Sequence, residues 1–132
     1  MNRRDGYPPA EAYDSYAPPQ YDLYSELQQL RSSLDELIAK YRRCGSEYAR
    51  LDREYHTAKA VMTLKMRDEG VPATVIAQVI KGVDPVAEAR EKMLSAEVMT
   101  RAALEAVMST KLQIKLVDSQ LQREWSTPQA GY

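Results

Sequence analysis

A chain of 132 residues with 44% apolar and 28% charged side chains holds material for one domain and a modest core, and that charge without any phenylalanine favours an elongated helical build. Its formal net charge of −1 lacks the overall basic excess of a strong nucleic-acid binder. Cys44 is the single cysteine, Met1 to Pro8 hold no apolar leader core, and no apolar run reaches the roughly 18 residues of a membrane span, so a soluble cytoplasmic protein without an internal disulfide is expected.

Residues 1–20 carry Pro8, Pro9, Pro18 and Pro19 among Tyr7, Tyr13 and Tyr16, with no aliphatic period. They read as a disordered arm, either an uninvolved tail or a segment whose tyrosines stack on bases or aromatic partners.

Beyond the arm, Leu23, Leu27, Leu30, Leu34, Leu37, Tyr41, Cys44, Tyr48, Leu51, Tyr55, Ala58 and Met62 follow one another at alternating steps of four and three. A repeat of 3.5 residues held this long predicts one helix from Asp22 to Glu69, about 48 residues and roughly 72 Å, with an apolar seam built to pair. Gly45 is its expected soft point, and Gly70 and Pro72 end it. Around its centre and C-terminal part the charge is local: between 40 and 67 eight basic side chains stand against three acidic ones.

The next segment, 71–82, places Val75, Ile76, Val79 and Ile80 on one helical face between Pro72 and Gly82. It predicts a short apical helix, with a strand as the less favoured reading. Asp84-Pro85 then starts a second long helix, Asp as the cap and Pro in the first position, running to Trp125. Its seam is Met93, Ala96, Thr100, Ala103, Val107, Thr110, Ile114, Val117 and Leu121, and Trp125 is expected to cover the open end near Leu27 and Leu30. Residues 126–132 read as a flexible tail.

The fold class is therefore all-α, a long antiparallel helical hairpin domain over 21–125. With the turn centred near residue 77, Tyr55 is expected near Met99 and Thr100, and Tyr48 near Ala106, bulky against small. That match moves Tyr41, Tyr48 and Tyr55 toward the packed interior, with exposed stacking residues as the alternative. Beside the second helix's seam runs another apolar file, Leu94, Val98, Leu104, Met108, Leu112 and Leu116. A helix with two apolar files needs two neighbours, so this file predicts the interface of a homo-oligomer.

Nothing points to catalysis or a cofactor. His56 is the only histidine and lies twelve residues from Cys44 on one helix, about 18 Å by helical rise, too far for a dyad. No metal-type spacing, phosphate-cradling glycine loop or nucleophile elbow occurs. What remains is a set of cations flanking the turn: Lys59, Lys65 and Arg67 before it and Lys81 after it, candidates for phosphate contact. Lysines and arginines also collect at helix C-termini for dipole reasons alone, and Asp68 and Glu69 sit beside these.

The stretches Tyr48 to Tyr55, Lys59-Ala60, Leu64 to Arg67, Gly70 to Thr74, Lys81-Gly82, Val86 to Glu88, Ala96-Glu97 and Leu121 to Trp125 resemble a family of small all-helical phage and prophage proteins. The likeness covers about residues 25–125. That layout is similar to the recombination mediators typified by UvsY, which bind single-stranded DNA, form rings and help load a recombinase. The resemblance implies a cytoplasmic accessory protein of a bacterial host cell, with Lys59, Lys65 and Arg67 on single-stranded DNA and a recombinase or single-strand-binding protein as partner. A coiled-coil scaffold that binds only proteins is the competing expectation.

Overall fold

The computed structural model describes residues 19–126, with side chains from Asp22. The expected arm before Pro19 and the tail after Ser126 lie outside the described residues. Among those described there are three α-helices and no strand: α1 (Pro19–Asp68), α2 (Ala73–Val79) and α3 (Asp84–Ser126), with a single 3₁₀ turn (Ile80–Gly82) between the last two. α1 packs against α3, which is the expected helical hairpin.

α1 starts three residues earlier than its periodicity announces, because Pro19 suits a first helical turn whose amide would have no intrahelical partner anyway. It also runs through Gly45 without interruption. One glycine costs about 1 kcal/mol in a helix interior, which a seam buried or half-buried from Leu23 to Met62 readily offsets. The end of α1 is specified by its local chemistry. Gly70 takes φ 85°, its amide donates to the Arg67 carbonyl at 3.0 Å, and the Val71 amide donates to the Met66 carbonyl at 3.0 Å. These two bonds make the Schellman closure that only a residue tolerant of left-handed φ provides cheaply. Val71 and Met66 then pack on the same apolar cluster, the contact that accompanies this closure.

The apical helix is shorter than the sequence predicts: the last three residues of the expected span tighten into the 3₁₀ turn. Pro72 precedes α2, and its carbonyl accepts from the amides of Val75 and Ile76 at 3.0 Å each. The start of α3 is displaced by one position from the expected cap. Val83 is extended at φ −73° and ψ 132°, and its carbonyl accepts the Ala87 amide at 2.8 Å, so Val83 is the capping residue. Asp84 and Pro85 occupy the first two helical positions, where the carboxylate faces the positive end of the helix dipole.

The hairpin comprises two compact units, each with its own apolar core. The apical unit, Leu34–Ser109, has a core of Leu51, Tyr55, Ile76, Ile80, Val86 and Met93, drawn from all three helices and the 3₁₀ turn. Val86 in it is 0% exposed. Tyr48, Ala58, Met62 and Met66 pack around this cluster. The terminal unit, comprising the described residues up to Ser33 and those from Thr110 to Ser126, has a thinner core of Leu27, Val117 and Leu121, with Leu23, Leu30 and Ile114 against it.

Both seams read from the sequence are buried or half-buried at every described position. Their register within the apical unit differs from the expected one. Tyr55 shares its cluster with Val86 and Met93, and Met99 instead borders Cys44 and Glu47. The turn is not symmetric: Met62 and Met66, at the end of α1, pack on the cluster that holds Ile76 and Ile80 of the apical segment. Of the three central tyrosines, Tyr55 is buried and Tyr41 and Tyr48 are half-buried, the packed-interior reading.

Trp125 does not cover the terminal core; it is 78% exposed. Continuing the α3 seam three residues beyond Leu121 arrives at Glu124, and Trp125 falls one further residue, about 100°, round the helix. Glu124 is half-buried, and its Oε2 is buried without a hydrogen-bond partner among the described residues.

Candidate nucleic-acid interface

The apical unit brings three of the four candidate cations together. Lys59, Thr63 and Arg67 of α1 stand at i, i+4 and i+8, hence on one face over about 12 Å of helix. Lys81, from the 3₁₀ turn, joins them at a groove of about 350 Å³ whose floor includes Ile76 and Ile80. Those two isoleucines are buried, so the cations are set on a packed base. The groove is near the lower end of the size range of small-ligand sites.

Lys65 is not part of this groove. Two residues of helix turn the side chain by about 200°, so Lys65 cannot share a face with Arg67. It is exposed on another side of α1. The four-cation group expected from the sequence is thus a three-cation groove plus one separate lysine. That Lys65 stands apart from Lys59 and Arg67 was already legible, because of the three on α1 only Lys59 and Arg67 are spaced by a multiple of four.

None of Lys59, Arg67 and Lys81 makes an ion pair among the described residues, which leaves their charge available. The Thr63 hydroxyl donates to the Lys59 carbonyl at 2.7 Å, so its remaining capacity is as an acceptor. The situation is different earlier on α1. Arg50 Nε donates to Glu47 at 3.0 Å and its terminal nitrogens reach Glu47 and Glu54, a charge cluster turned on itself. The Arg50 hydrogen bond holds the Glu47 carboxyl below the usual carboxylate range, and Glu47 in turn pushes the guanidinium up. Arg50 is therefore a poor phosphate ligand compared with the groove cations.

His56 Nε2 lies 3.4 Å from Asp52 Oδ1 in an exposed pair, and its ring is 5.2 Å from that of Tyr55 between centroids. Among the described residues no group of three or more His, Cys, Asp or Glu side chains is placed to hold a metal ion. No described helix is long and apolar enough to cross a membrane.

The second apolar file of α3 is open. Leu94, Val98, Leu104, Met108, Leu112 and Leu116 are all exposed, between 37% and 65%. Sequence reasoning missed one feature beside it. Leu94 and Val98 line a groove of about 410 Å³ together with Arg90, Glu91 and Lys81, so Lys81 borders two grooves of the apical unit. No family model matches the chain, and neither a curated protein nor a solved structure matches it.

Proposed function

We propose that this chain is a noncatalytic accessory protein of phage recombination or replication, acting in the bacterial cytoplasm. On this reading it binds single-stranded DNA modestly and contacts a recombinase or single-strand-binding protein. The observation that carries it is the groove in which Lys59, Arg67 and Lys81, with no ion pair among the described residues, stand over the buried Ile76 and Ile80. Cations supply the sequence-independent phosphate attraction, and the buried isoleucines beneath them fix the backbone that carries them. The near-neutral chain limits this attraction to one patch, which suits a protein that passes DNA on rather than one that holds it.

Binding of a fluorescent single-stranded oligonucleotide across a salt series tests the reading. Three neutralised phosphates give a slope of log affinity on log salt of about −2, and the triple change K59A/R67A/K81A removes most of it. Lys65→Ala leaves the slope unchanged. Binding by the triple variant equal to that of the parent chain refutes the groove, and no binding even at low salt refutes the DNA reading.

That last result leaves the second reading, a coiled-coil scaffold for proteins alone. It is favoured by the exposed file on α3, through which we also propose that the chain forms a homo-oligomer.

A further inference from the structure

The exposed side of α3 has a symmetry that its apolar content alone does not reveal. Leu94, Val98, Arg101, Glu105, Met108 and Leu112 follow one another at steps of four, three, four, three and four, which is a heptad seam. Each is exposed, and each stands two residues, about 200° of turn, from a buried or half-buried member of the inner seam such as Ala96, Ala103 or Thr110. α3 therefore carries two seams on opposed faces, the inner one occupied by α1.

Reversed about Ala103, the outer seam reads the same in character. Arg101 and Glu105 lie two residues either side, Val98 and Met108 five, and Leu94 and Leu112 nine. Glu91 and Lys115 continue the pattern at twelve. A helix laid antiparallel on a copy of itself at this centre meets apolar with apolar and cation with anion at every level. Laid parallel in register, it sets Arg101 on Arg101 and Glu105 on Glu105.

We infer that two copies of this chain pair through the outer seam of α3, antiparallel and centred at the level of Ala103, with Arg101 of each copy against Glu105 of the other. This rests on the reading of the exposed file as an oligomer interface and adds its polarity and register. The charges suit the role. Glu105, Glu91 and Lys115 make no ion pair among the described residues, and Arg101, which bonds Glu97 at 2.6 Å, has further guanidinium donors to offer. A charged pair within an apolar seam costs some stability and selects one alignment among many, the established use of polar residues at such positions. The groove beside Leu94 and Val98 supplies a recess for the second copy's Met108 and Leu112.

Sedimentation velocity on the full chain, with circular dichroism to confirm helix content, tests this with R101E, E105R and the double exchange R101E/E105R. Either single reversal sets like charges together twice and weakens association by roughly tenfold or more, and the double exchange restores it. In a Cys44→Ser background, the pair V98C/M108C is bridged between copies by a short bis-maleimide and V98C alone is not, since Val98 faces Met108 and not itself. A parent chain that stays monomeric at micromolar concentration overturns both the oligomer and this pairing. Association that ignores both single reversals, or bridging by V98C alone, overturns the antiparallel register and leaves the oligomer standing.

Discussion

The apical and terminal units are built from the same two long helices, yet they bury side chains differently. In the apical unit α2 and the 3₁₀ turn add Ile76 and Ile80 to what α1 and α3 contribute, and Val86 is excluded from solvent altogether. In the terminal unit only two helices meet among the described residues, and the cluster ends with Leu27, Val117 and Leu121. Two cylinders touch along a line, so a third element is what turns a seam into an enclosed core. The lesson extends to function: the same apical segment that closes the core also supplies Lys81 and the floor of the basic groove.

Core substitutions give the largest test of that contrast. Ile80→Ala is expected to cost about 3 kcal/mol and Val86→Asp more, because an unpaired carboxylate is left in an apolar site, whereas Leu121→Ala costs about 2 kcal/mol or less since the thinner core relaxes around it. Urea unfolding followed by circular dichroism measures all three. Equal losses for Ile80→Ala and Leu121→Ala would break the comparison.

A smaller effect sharpens it at the turn. Gly70→Ala puts a side chain at φ 85° in the closure that leads into α2 and is expected to cost about 1 kcal/mol, although nothing lies near enough to clash. If this variant unfolds at the parent's urea midpoint, the closure is not what fixes the apical segment.

The smallest effect concerns the surface of the apical unit. Glu47 has its folded pKa lowered by Arg50, so the pair contributes only above the ordinary carboxylate range and its contribution is lost as the pH falls through the lowered value. The group is fully exposed and little stability follows from it. Carbon-detected NMR titration is expected to find Glu47 titrating below the ordinary glutamate value, and Arg50→Ala to move it back up.

Much of this was open to reading from residue spacing. Both inner seams were legible because a 3.5-residue repeat admits one buried stripe, and every member proved buried or half-buried. Gly70, Pro72 and Gly82 announced the turn for reasons of backbone chemistry. The outer file was legible too, since Leu94, Val98 and their fellows cannot face α1 when the inner seam already does. The cap of α3 was misplaced by one residue because Val83, not a polar side chain, takes the extended conformation there. Trp125 does not cover the open end because its helical phase carries it off the seam, where Glu124 falls instead.

The amino-acid sequence by itself determined the helices and the faces they bury, and their ends to within three residues, because these depend on periodicity and local hydrogen bonding within a few residues. Tertiary structure alone decided which levels of α1 and α3 meet. The apical segment packs on the end of α1, putting Tyr55 with Val86 and Met93 where a symmetric turn would have offered Met99. It also decided which cations share a groove, because Lys81 approaches Lys59 and Arg67 only when α2 has folded onto α1. Distances between elements depend on how side chains of particular volumes fill the space between them, and no spacing along the chain encodes that.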